Sequence, residues 1–464
     1  MKWFVPHQLK RLAEELSVPL YIVGGSVRDF LAGHVRGDDL SLDWDICAPA
    51  LPEALIPAAE RCGFSVCAVY RNTGTVKLAS KDGLSAEFTS FRSDEYVRGE
   101  HRPSNVCFTD DIEKDARRRD FCCNAVYFDI CVERFVDPLD GISDIRKKRI
   151  RTVRESEKVF SEDGLRLLRL ARFCGQLGFA PDGETLAGAR ENAALVRDIV
   201  PERVFCELDM ILRADVKNGI AGGQYRALKV LDETRVLDEV LPELTAGRGM
   251  AQPSNFHSYD VLEHSLRCAM YAPPGLRWAA LLHDVGKPVC MARSGSFHSH
   301  ETEGADISDS VLSRLKASKS LKEHTRRLVL LHMYDAQCNV RERKLRRFFV
   351  ENHDIVSDLM DLKQADFSAC KDSLEIAPTV ARWRGVLSKM EEDNAPLTLR
   401  QLAVSGKELS EAGIPPAYIG KVLRRLLLLC ACDPQENTRE RLLKLADGAY
   451  RTEREEEKRT KKES

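Results

Sequence analysis

The spacing of the apolar residues changes once along the chain, and this change constrains the fold more than any other feature of the sequence. Up to about residue 150, short extended runs alternate with short helical runs, which predicts a mixed β-sheet with helices beside it. From about Glu155 the apolar residues recur at helical spacing, as at Leu165, Leu168 and Leu177. The sequence therefore predicts an α+β fold in which a small mixed sheet is followed by helices alone.

Length and composition place the chain among globular proteins. Its 464 residues are enough for about three domains of ~150 residues each. Hydrophobic residues make up 43% and charged residues 31%, as in ordinary globular domains. No apolar run approaches the ~20 residues of a membrane helix, and the N-terminal stretch lacks the apolar core of a signal peptide. The 15 cysteines form no CxxC pair, so we expect reduced thiols and a cytoplasmic protein.

The charge of the chain is nearly balanced, with a net value of −2, and does not by itself indicate nucleic-acid binding. The basic residues are nevertheless bunched in three runs, at 117–119, 146–151 and 341–347. Such runs either bind phosphate groups or form solvated helix faces that are balanced by nearby acidic residues.

A Gly-Gly pair separates an extended run from the helix that follows it. Gly24 and Gly25 allow the backbone to approach a ligand closely. The N-terminus of a helix presents unpaired N–H groups and a partial positive charge. Together these properties predict a turn that accommodates a phosphate chain, although such a pair is also common in simple turns.

Carboxylates follow in the next extended runs. Asp43 and Asp45 alternate with apolar residues, so we expect them to share one face of a strand while Trp44 and Ile46 point into the core. Two carboxylates in this arrangement fit Mg²⁺, and Glu87 of a later strand is a third candidate ligand in a two-metal site. A solvated acidic turn is the alternative for the two aspartates taken alone.

A series of motifs occurs in one order along the chain: GGSVRD, DWD, FRSDEYVRGEHRP, RRRDFCCNA, DPLDG, EDGLRLLRLARF and PERV. Over about residues 20–245 this series resembles the class II tRNA nucleotidyltransferases and bacterial poly(A) polymerases, which belong to the DNA polymerase β superfamily. The resemblance implies a polymerase β-like nucleotidyltransferase head. The chain departs from the family pattern at Cys122-Cys123, where Thr-Ile is usual, and at Gly164, where Pro or Ala is frequent.

The resemblance also implies roles for individual residues. Catalysis with Mg²⁺ is assigned to Asp43, Asp45 and Glu87. Binding of the incoming nucleotide is assigned to Gly24, Gly25, Arg28, Arg118, Arg119, Asp120, Asp163 and Arg166. Within this set Arg118, Arg119 and Asp120 would hold the ribose and phosphates, and Asp163 and Arg166 would read the base.

The pair of Asp163 and Arg166 has the chemistry to select C and A. The two residues are three positions apart, so we expect them to share one face of a helix. Cytosine and adenine each present an amino donor beside a ring-nitrogen acceptor, which a carboxylate and a guanidinium match. Uracil and guanine reverse this pattern, and each buried mismatch costs about 1–3 kcal/mol. The alternative is an ordinary surface ion pair between the two side chains.

The second half of the chain carries a different set of candidate ligands. The segments YDVLEHSLRCAMYAP, LRWAALLHDVGKP, FHSHETEGA, LVLLHM and LKQADFSA resemble the HD superfamily of metal-dependent phosphohydrolases over about residues 255–370. The implied metal ligands are His264, His283, Asp284 and Asp366, with His300 and His332 available for a second metal. These ligands suit a transition metal such as Mn²⁺, Ni²⁺, Fe²⁺ or Zn²⁺ better than Mg²⁺. Such a domain either hydrolyses phosphoesters, for example the 2′,3′-cyclic phosphates of damaged RNA ends, or serves only as a scaffold.

These observations predict four segments: a nucleotidyltransferase head at 1–150, a helical neck with the base-selecting helix at 151–250, an HD-type metal domain at 255–370, and a helical RNA-binding region with a charged tail at 371–464. We predict an enzyme that adds C and A to the 3′ end of tRNA from CTP and ATP without a template, with no membrane or protein partner. A poly(A) polymerase, or an enzyme that adds only CC or only A, is the alternative in the same class. An HD phosphodiesterase or phosphatase with an RNA-binding head is the alternative from another class.

Overall fold

The computed structural model of the protein describes residues 3–35, 44–96, 103–253 and 258–463. The chain divides into two compact units, each described here by itself. The first contains Met1–Ala246 and Val311–Ser318, and the second contains Gly247–Ser310 and Lys319–Ser464. The segment 311–318 lies within the stretch that the sequence assigns to the HD-type domain, but it clusters with the first unit.

The strands all lie in the first unit. They are β1 (Tyr21–Val23), β2 (Trp44–Ala48), β3 (Phe64–Tyr70), β4 (Thr75–Ser80), β5 (Ser85–Ser90), β6 (Arg92–Tyr96), β7 (Pro103–Phe108), β8 (Tyr127–Asp129), β9 (Arg134–Val136), β10 (Arg149–Ile150) and β11 (Ala180–Pro181). Seven of them form one sheet in the order β3-β4-β5-β2-β1-β8-β9, while β6 pairs with β7 and β10 with β11. In the seven-stranded sheet only β2 and β5 are parallel neighbours, so the sheet is mixed, as predicted.

The alternation expected for the second strand is present in the structure. Trp44 and Ile46 are each 1% exposed, whereas Asp45 between them faces solvent. On the core side Trp44 and Phe128 pack around Trp3, with ring centroids 5.8 and 5.0 Å from that of Trp3. Burial of these rings holds β2 at the centre of the sheet, while Asp45 lies on the opposite face of the strand.

The helices of the first unit surround the sheet and continue beyond it. They are α1 (His7–Glu15), α2 (Gly25–Leu31), α3 (Pro52–Arg61), α4 (Ile112–Arg117), α5 (Gly141–Arg146), α6 (Ser156–Glu162), α7 (Leu165–Leu177), α8 (Gly183–Glu191), α9 (Pro201–Leu212), α10 (Ala214–Asn218), α11 (Gly223–Glu233), α12 (Val236–Val240) and α13 (Pro242–Thr245). Helix α7 is buried along most of its length and packs against α9, α10 and α11. The change from strands to helices near residue 155 is therefore confirmed, except that the two-residue strand β11 interrupts the helices.

The described part of the second unit is helical. Its helices are α14 (Val261–Tyr271), α15 (Arg277–Leu282), α16 (Lys287–Ser294), α17 (His300–Arg314, which runs on into the first unit), α18 (Lys319–Leu331), α19 (Glu342–Glu351), α20 (Val356–Lys371), α21 (Pro378–Glu392), α22 (Gly406–Glu411), α23 (Pro416–Cys432) and α24 (Arg439–Glu463). Every residue of α15 is buried, and α14, α18 and α20 pack against it. Among the helices that the structure describes, none has the length and apolar character needed to cross a membrane.

Candidate nucleotide and metal sites

Two carboxylates lie side by side where β2 runs parallel to β5. Asp45 and Glu87 are register partners in the two strands. Gly24 approaches them from the turn before α2 with φ +80°, and a Cβ atom on it would lie 3.0 Å from Oδ2 of Asp45. Glycine is therefore required here both by the backbone conformation and by the close approach. Lys77 lies 3.4 Å from Glu87, and Asp43 falls outside the described residues.

A cavity of about 440 Å³ opens beside the Gly-Gly turn and is lined mainly by charged side chains. It brings together the whole predicted nucleotide-binding set, namely Gly24, Gly25, Arg28, Arg118, Arg119, Asp120, Asp163 and Arg166. Asp45 also lines this cavity, whereas Glu87 lines an adjoining cavity of about 250 Å³ that Asp45 shares. Residues from four separate stretches of the chain thus surround one volume of nucleotide size.

Two of the cavity arginines are held by a carboxylate that sequence reasoning missed. Asp115 of α4 is fully buried and accepts hydrogen bonds from Arg118 at 2.8 Å and from Arg119 at 2.9 and 3.2 Å. The hydroxyl of Tyr127 donates to the same carboxylate at 2.7 Å. Burial opposes ionisation, but the charges of Arg119 and Arg118 and the bond from Tyr127 lower the pKa of Asp115 to about 2. Asp115 lies three and four residues before the two arginines, and this spacing is the sequence pattern from which the ion pairs could have been predicted.

Asp120 is engaged on both of its carboxylate oxygens. One oxygen accepts from the backbone N–H of Phe121 at 2.8 Å and from Asn124 at 2.9 Å. The other accepts two hydrogen bonds from Arg169, at 2.6 and 2.8 Å. Burial opposes ionisation of Asp120, but the charge of Arg169 and these hydrogen bonds hold its pKa well below the usual range. In this structure the carboxylate fixes the guanidinium of Arg169 at the cavity wall.

Three guanidinium groups surround one aromatic ring at the cavity wall. The guanidinium carbons of Arg28, Arg169 and Arg172 lie 4.8, 5.2 and 4.5 Å from the ring centroid of Phe173. Arg172 also donates to Glu207 at 2.7 Å, and burial lowers the pKa of its guanidinium. Sequence reasoning named only Arg28 of these three. The i, i+3 spacing from Arg166 through Arg169 to Arg172 on α7 was the signal available for the others.

The expectation that Asp163 and Arg166 share one face of a helix is wrong. Asp163 follows the last residue of α6 in an extended conformation, with φ −147° and ψ 103°, whereas Arg166 lies in the first turn of α7. The Asp163 carboxylate accepts from the backbone N–H of Leu165 at 3.0 Å and lies 3.8 Å from Arg203 of α9. Both side chains line the same cavity. They do so because a short non-helical link separates α6 from α7, and not because the two residues lie on one helical turn. We call this link the break between α6 and α7.

Arg166 is almost completely buried, and protein acceptors hold its two terminal nitrogens. One donates to the carbonyl of Val159 at 2.9 Å and to Glu162 at 3.1 Å, and the other donates to the carbonyl of Arg118 at 2.9 Å. A surface ion pair with Asp163 is therefore not what fixes this side chain. The plane of the guanidinium is set by its neighbours before any nucleotide arrives.

In the second unit, the predicted HD ligands converge on one point. Nε2 of His264 lies 3.3 Å from Nε2 of His283 and 3.0 Å from a carboxylate oxygen of Asp366. Nε2 of His283 lies 3.2 Å from Asp284. One ligand atom from each of His264, His283 and Asp284 falls within 4.8 Å of the others, which is close enough for the three residues to hold one metal ion.

A second group of ligands continues from the first through a shared carboxylate. Asp284 lies 3.2 Å from Nε2 of His300, and that nitrogen lies 3.2 Å from Nε2 of His332. These three residues also present ligand atoms within 4.8 Å of one another, and all three are buried. Burial, together with the neighbouring charges of His283 and His300, lowers the pKa of His332 to about 3, which favours the neutral imidazole that binds metals.

The orientation of the imidazoles fits a metal centre. His283, His300 and His332 each donate from Nδ1 to the backbone carbonyl three residues earlier, at 2.8, 2.8 and 2.6 Å. These bonds set the tautomer and turn every Nε2 toward the cluster, which is the arrangement of metal-ligating histidines. Two lysines adjoin the ligands: Lys287 donates to Asp284 at 2.6 Å, and Lys363 donates to the carbonyl of His332 at 2.5 Å. Sequence reasoning did not single out either lysine.

Three family models match separate parts of the chain. The sequence model of the poly(A) polymerase head domain matches residues 20–151, and the HD domain model matches residues 257–366. Between them, residues 178–247 match a probable RNA- and SrmB-binding site of polymerase A. The mixed sheet, its arginine-lined cavity and the head-domain match define a protein of the nucleotidyltransferase class.

The similar proteins narrow this class. An A-adding tRNA nucleotidyltransferase of Deinococcus radiodurans is 35% identical over 433 residues, which cover 87% of this chain and 90% of the relative. A CCA-adding enzyme of Geobacillus stearothermophilus is 37% identical over 277 residues, which cover 57% of this chain and 59% of that relative. The chain therefore belongs to the tRNA nucleotidyltransferase family.

Solved structures share the fold over nearly the whole chain. The CCA-adding enzyme of Bacillus stearothermophilus in complex with CTP matches with a TM-score of 0.64 and 24% identity, covering 97% of this chain and 100% of that one. The CCA-adding enzyme of Thermotoga maritima complexed with tRNA matches with a TM-score of 0.62 and 18% identity, covering 95% and 94% of the two chains. At these identities the likeness establishes the α+β fold.

Proposed function

We propose that this protein adds C and A to the 3′ end of tRNA, taking the nucleotides from CTP and ATP without a template. The observation that carries the proposal is the cavity of about 440 Å³ in which the Gly-Gly turn, Asp45, the arginines and the Asp163–Arg166 pair meet. Membership of the tRNA nucleotidyltransferase family supports tRNA as the acceptor. Because tRNA is the substrate, the proposal includes a cytoplasmic location.

Asp43, Asp45 and Glu87 are the proposed Mg²⁺ ligands of this reaction. The pairing of Asp45 with Glu87 across β2 and β5 supports this role, because hard carboxylate oxygens side by side are suited to Mg²⁺. Bound Mg²⁺ supplies charge neutralisation at the transferring phosphoryl group. The close packing of Gly24 against Asp45 keeps the backbone turn within reach of the same phosphates.

The arginines of the cavity are proposed to bind the triphosphate and ribose. Arg118 and Arg119 arise from the segment held by Asp115, and Arg28 lies beside the Gly-Gly turn. Arg169 and Arg172 extend this set along α7. Planar guanidinium groups match pairs of phosphate oxygens, so their convergence in one cavity favours a polyphosphate ligand. In this proposal Asp120 positions Arg169 and reaches a ribose hydroxyl only if that ion pair opens.

Asp163 and Arg166 are proposed to read the base in place of a template strand. Arg166 is held by three protein acceptors, and the carboxylate of Asp163 is held by the Leu165 N–H, so each side chain is preorganised. The carboxylate would accept from the amino group of C or A, and the guanidinium would donate to the adjacent ring nitrogen. Because both groups line one cavity, a single base can contact them together.

A second candidate is addition of the terminal A alone. The observation that favours it is the match to an A-adding relative over 87% of this chain, whereas the match to the CCA-adding relative from Geobacillus stearothermophilus covers 57%.

An extension assay decides between CCA addition and A addition. Purified protein is given tRNA lacking its 3′ CCA and, separately, tRNA ending in CC. Stepwise C, C and A on the first substrate supports CCA addition. Extension of the CC-ended tRNA alone supports A addition, and unlimited A addition to any RNA would identify a poly(A) polymerase.

The same assay tests the catalytic assignment. Asp45→Asn is expected to lower the transfer rate by roughly a thousandfold, since several kcal/mol of transition-state stabilisation is lost with a metal ligand. Asp82→Asn, in the exposed turn before β5, is the matched control and should transfer at the wild-type rate. Normal transfer by Asp45→Asn would contradict the assignment of the head site.

For the second unit we propose a divalent transition-metal centre that hydrolyses phosphoesters such as the 2′,3′-cyclic phosphates of RNA ends. The proposed ligands are His264, His283, Asp284, Asp366, His300 and His332, and the inward-facing imidazole nitrogens support them. The bound metal supplies Lewis-acid chemistry at the phosphoester. Lys287, ion-paired to Asp284, is placed to bind an anionic group there.

Protein stripped of metal and reloaded with Mn²⁺, Ni²⁺, Fe²⁺ or Zn²⁺ should regain hydrolysis of a 2′,3′-cyclic nucleotide. If the reloaded protein binds metal but hydrolyses no phosphoester, the second unit serves as a scaffold and not as a hydrolase.

A further inference from the structure

A thiol lies one helical turn beyond the last predicted ligand of the HD cluster. Asp366 and Cys370 are four residues apart on α20, so they lie on the same face of that helix. This face packs against α14, which carries His264. The sequence comparison with HD proteins drew attention to Asp366 but not to the cysteine after it.

The donor atoms around this thiol lie close enough to be brought onto one metal ion. Ligand atoms of His264, Asp366 and Cys370 all lie within 4.8 Å of one another, and the carboxylate of Asp366 is 3.0 Å from Nε2 of His264. In a tetrahedral zinc site with Zn–S and Zn–N bonds of ~2.3 and ~2.1 Å, two ligand atoms lie about 3.6 Å apart. The thiol therefore reaches a shared ion through a side-chain adjustment of about 1 Å.

The end of α20 that carries the thiol is anchored to the segment before α14 and to the middle and end of that helix. The carboxylate of Asp372 accepts hydrogen bonds from the hydroxyls of Tyr259 and Tyr271 at 2.6 and 2.9 Å and from Arg267 at 2.7 and 2.8 Å. The carbonyl of Cys370 itself accepts from the backbone N–H of Ser258 at 3.0 Å. These bonds hold the last turn of α20 at a set distance from the helix of His264, which is the support that a preorganised ligand requires.

We propose that Cys370 is a metal ligand of the HD cluster, completing a mixed nitrogen, oxygen and sulfur set with His264 and Asp366. This inference rests on the proposal that the cluster binds a divalent metal. On coordination the thiol releases its proton to solvent and the thiolate forms the bond to the metal. The other two groups, His264 with His283 and Asp284, and Asp284 with His300 and His332, have only nitrogen and oxygen donors.

The consequence is a difference in metal preference between the group that contains Cys370 and the groups that contain only nitrogen and oxygen donors. A thiolate favours Zn²⁺ or another soft ion over Mn²⁺ and Mg²⁺, whereas imidazole and carboxylate ligands tolerate a wider range of metals. Cys370→Ser should therefore weaken Zn²⁺ binding by about tenfold or more while changing Mn²⁺ binding little.

Cobalt provides a direct test on the full-length protein. The protein is stripped with a chelator and titrated with Co²⁺, and the absorption spectrum is recorded together with the bound-metal stoichiometry. The wild type should show a thiolate-to-cobalt charge-transfer band in the near ultraviolet as well as visible ligand-field bands. Cys370→Ser should lose the first band and keep the second. Cys432→Ser is the matched control, because its thiol donates a hydrogen bond to a backbone carbonyl of α19 at 3.4 Å, and it should keep both bands.

The outcomes separate the inference from the proposal on which it rests. A charge-transfer band that persists in Cys370→Ser, or cobalt bound by the wild type without such a band, would overturn the role of Cys370 alone. Cobalt binding that is unchanged by His264→Ala and His283→Ala would overturn the metal cluster itself. Cys370→Asp supplies an oxygen ligand at the same position. It should bind cobalt with wild-type stoichiometry and no charge-transfer band, which excludes misfolding as the cause of the loss.

Discussion

Single buried charges set the geometry of the nucleotide cavity. Asp115 has no exposed side-chain surface, and it accepts hydrogen bonds from Arg118, Arg119 and Tyr127. Asp115 shares this task with Asp94, which lies 3.9 Å from Arg118, and with the Tyr127 hydroxyl, which accepts from Arg119 at 3.1 Å. Asp115 touches the arginines rather than the substrate, so it acts as a positioning residue.

Asp115→Asn is expected to weaken both folding and nucleotide binding. The change leaves two arginines without their buried counter-charge, which costs about 3–5 kcal/mol of unfolding free energy. Because the arginines lose their orientation, KM for CTP and ATP should rise more than kcat falls. Denaturant unfolding and steady-state kinetics measure the two effects. Glu113→Gln, an exposed change on the same helix, should alter neither.

The same carboxylate predicts a response to acid. The pKa of Asp115 is lowered from the usual value of 3.8 to about 2, so its ionised form is stabilised by folding. Its contribution to stability is complete above the unfolded value and is lost as the pH falls from about 4 toward 2. The difference in unfolding free energy between the wild type and Asp115→Asn should therefore shrink over this range. A difference that stays constant down to pH 2 would show that the charge of Asp115 is not what stabilises the fold.

At the scale of elements, the break between α6 and α7 places the two proposed base-reading side chains. A Cβ atom on Gly164, which lies in this break, would stand 2.7 Å from the carbonyl oxygen of Leu195. That distance is too short for any side chain, so the tight passage of the backbone accounts for glycine where relatives of the resembled family often have Pro or Ala. The burial of Cys122 and Cys123, both at 0% exposure, shows that these two departures from the family pattern are accommodated as small core residues.

Gly164→Ala tests the role of this break. The added methyl group should cost about 1–3 kcal/mol of unfolding free energy, because backbone atoms must shift to admit it. The shift displaces Asp163 and Arg166, so discrimination of CTP and ATP against UTP and GTP should fall, as measured by kcat/KM for each nucleotide. Gly183→Ala at the start of α8 has no atom within 4 Å of the added Cβ and should leave both properties unchanged. If Gly164→Ala discriminates between the nucleotides as well as the wild type does, base selection does not depend on the geometry of the break.

At the scale of the whole molecule, the proposed chemistries reside in different compact units. The nucleotide cavity is built from residues of the first unit alone, and the HD ligands all belong to the second. The two activities should therefore be lost independently. Asp284→Asn should abolish phosphoester hydrolysis and leave tRNA extension at the wild-type rate, and Asp45→Asn should do the reverse. Loss of both activities in either variant, with normal thermal unfolding, would contradict this independence.

Much of the architecture could be predicted from local patterns. The alternation around Asp45, the Gly-Gly turn before α2 and the helical spacing beyond residue 155 each depend on neighbours within a few positions. The mixed sheet and the α+β class follow from them. The pairing of individual strands could not be predicted, because no local pattern indicates that β2 runs parallel to β5 and antiparallel to β1.

The sequence by itself determined which chemical groups the protein carries and the secondary structure on which most of them stand, because periodicity and turn chemistry are local properties of the chain. Tertiary structure decided which of these groups meet. Arg169 reaches Asp120 across 49 positions, and His264 meets Asp366 from another helix, so no local pattern reports either contact. The break at Asp163 combines both, because the Asp163 carboxylate caps the start of α7 locally while the carbonyl of Leu195 comes too close to Gly164 to admit a side chain there.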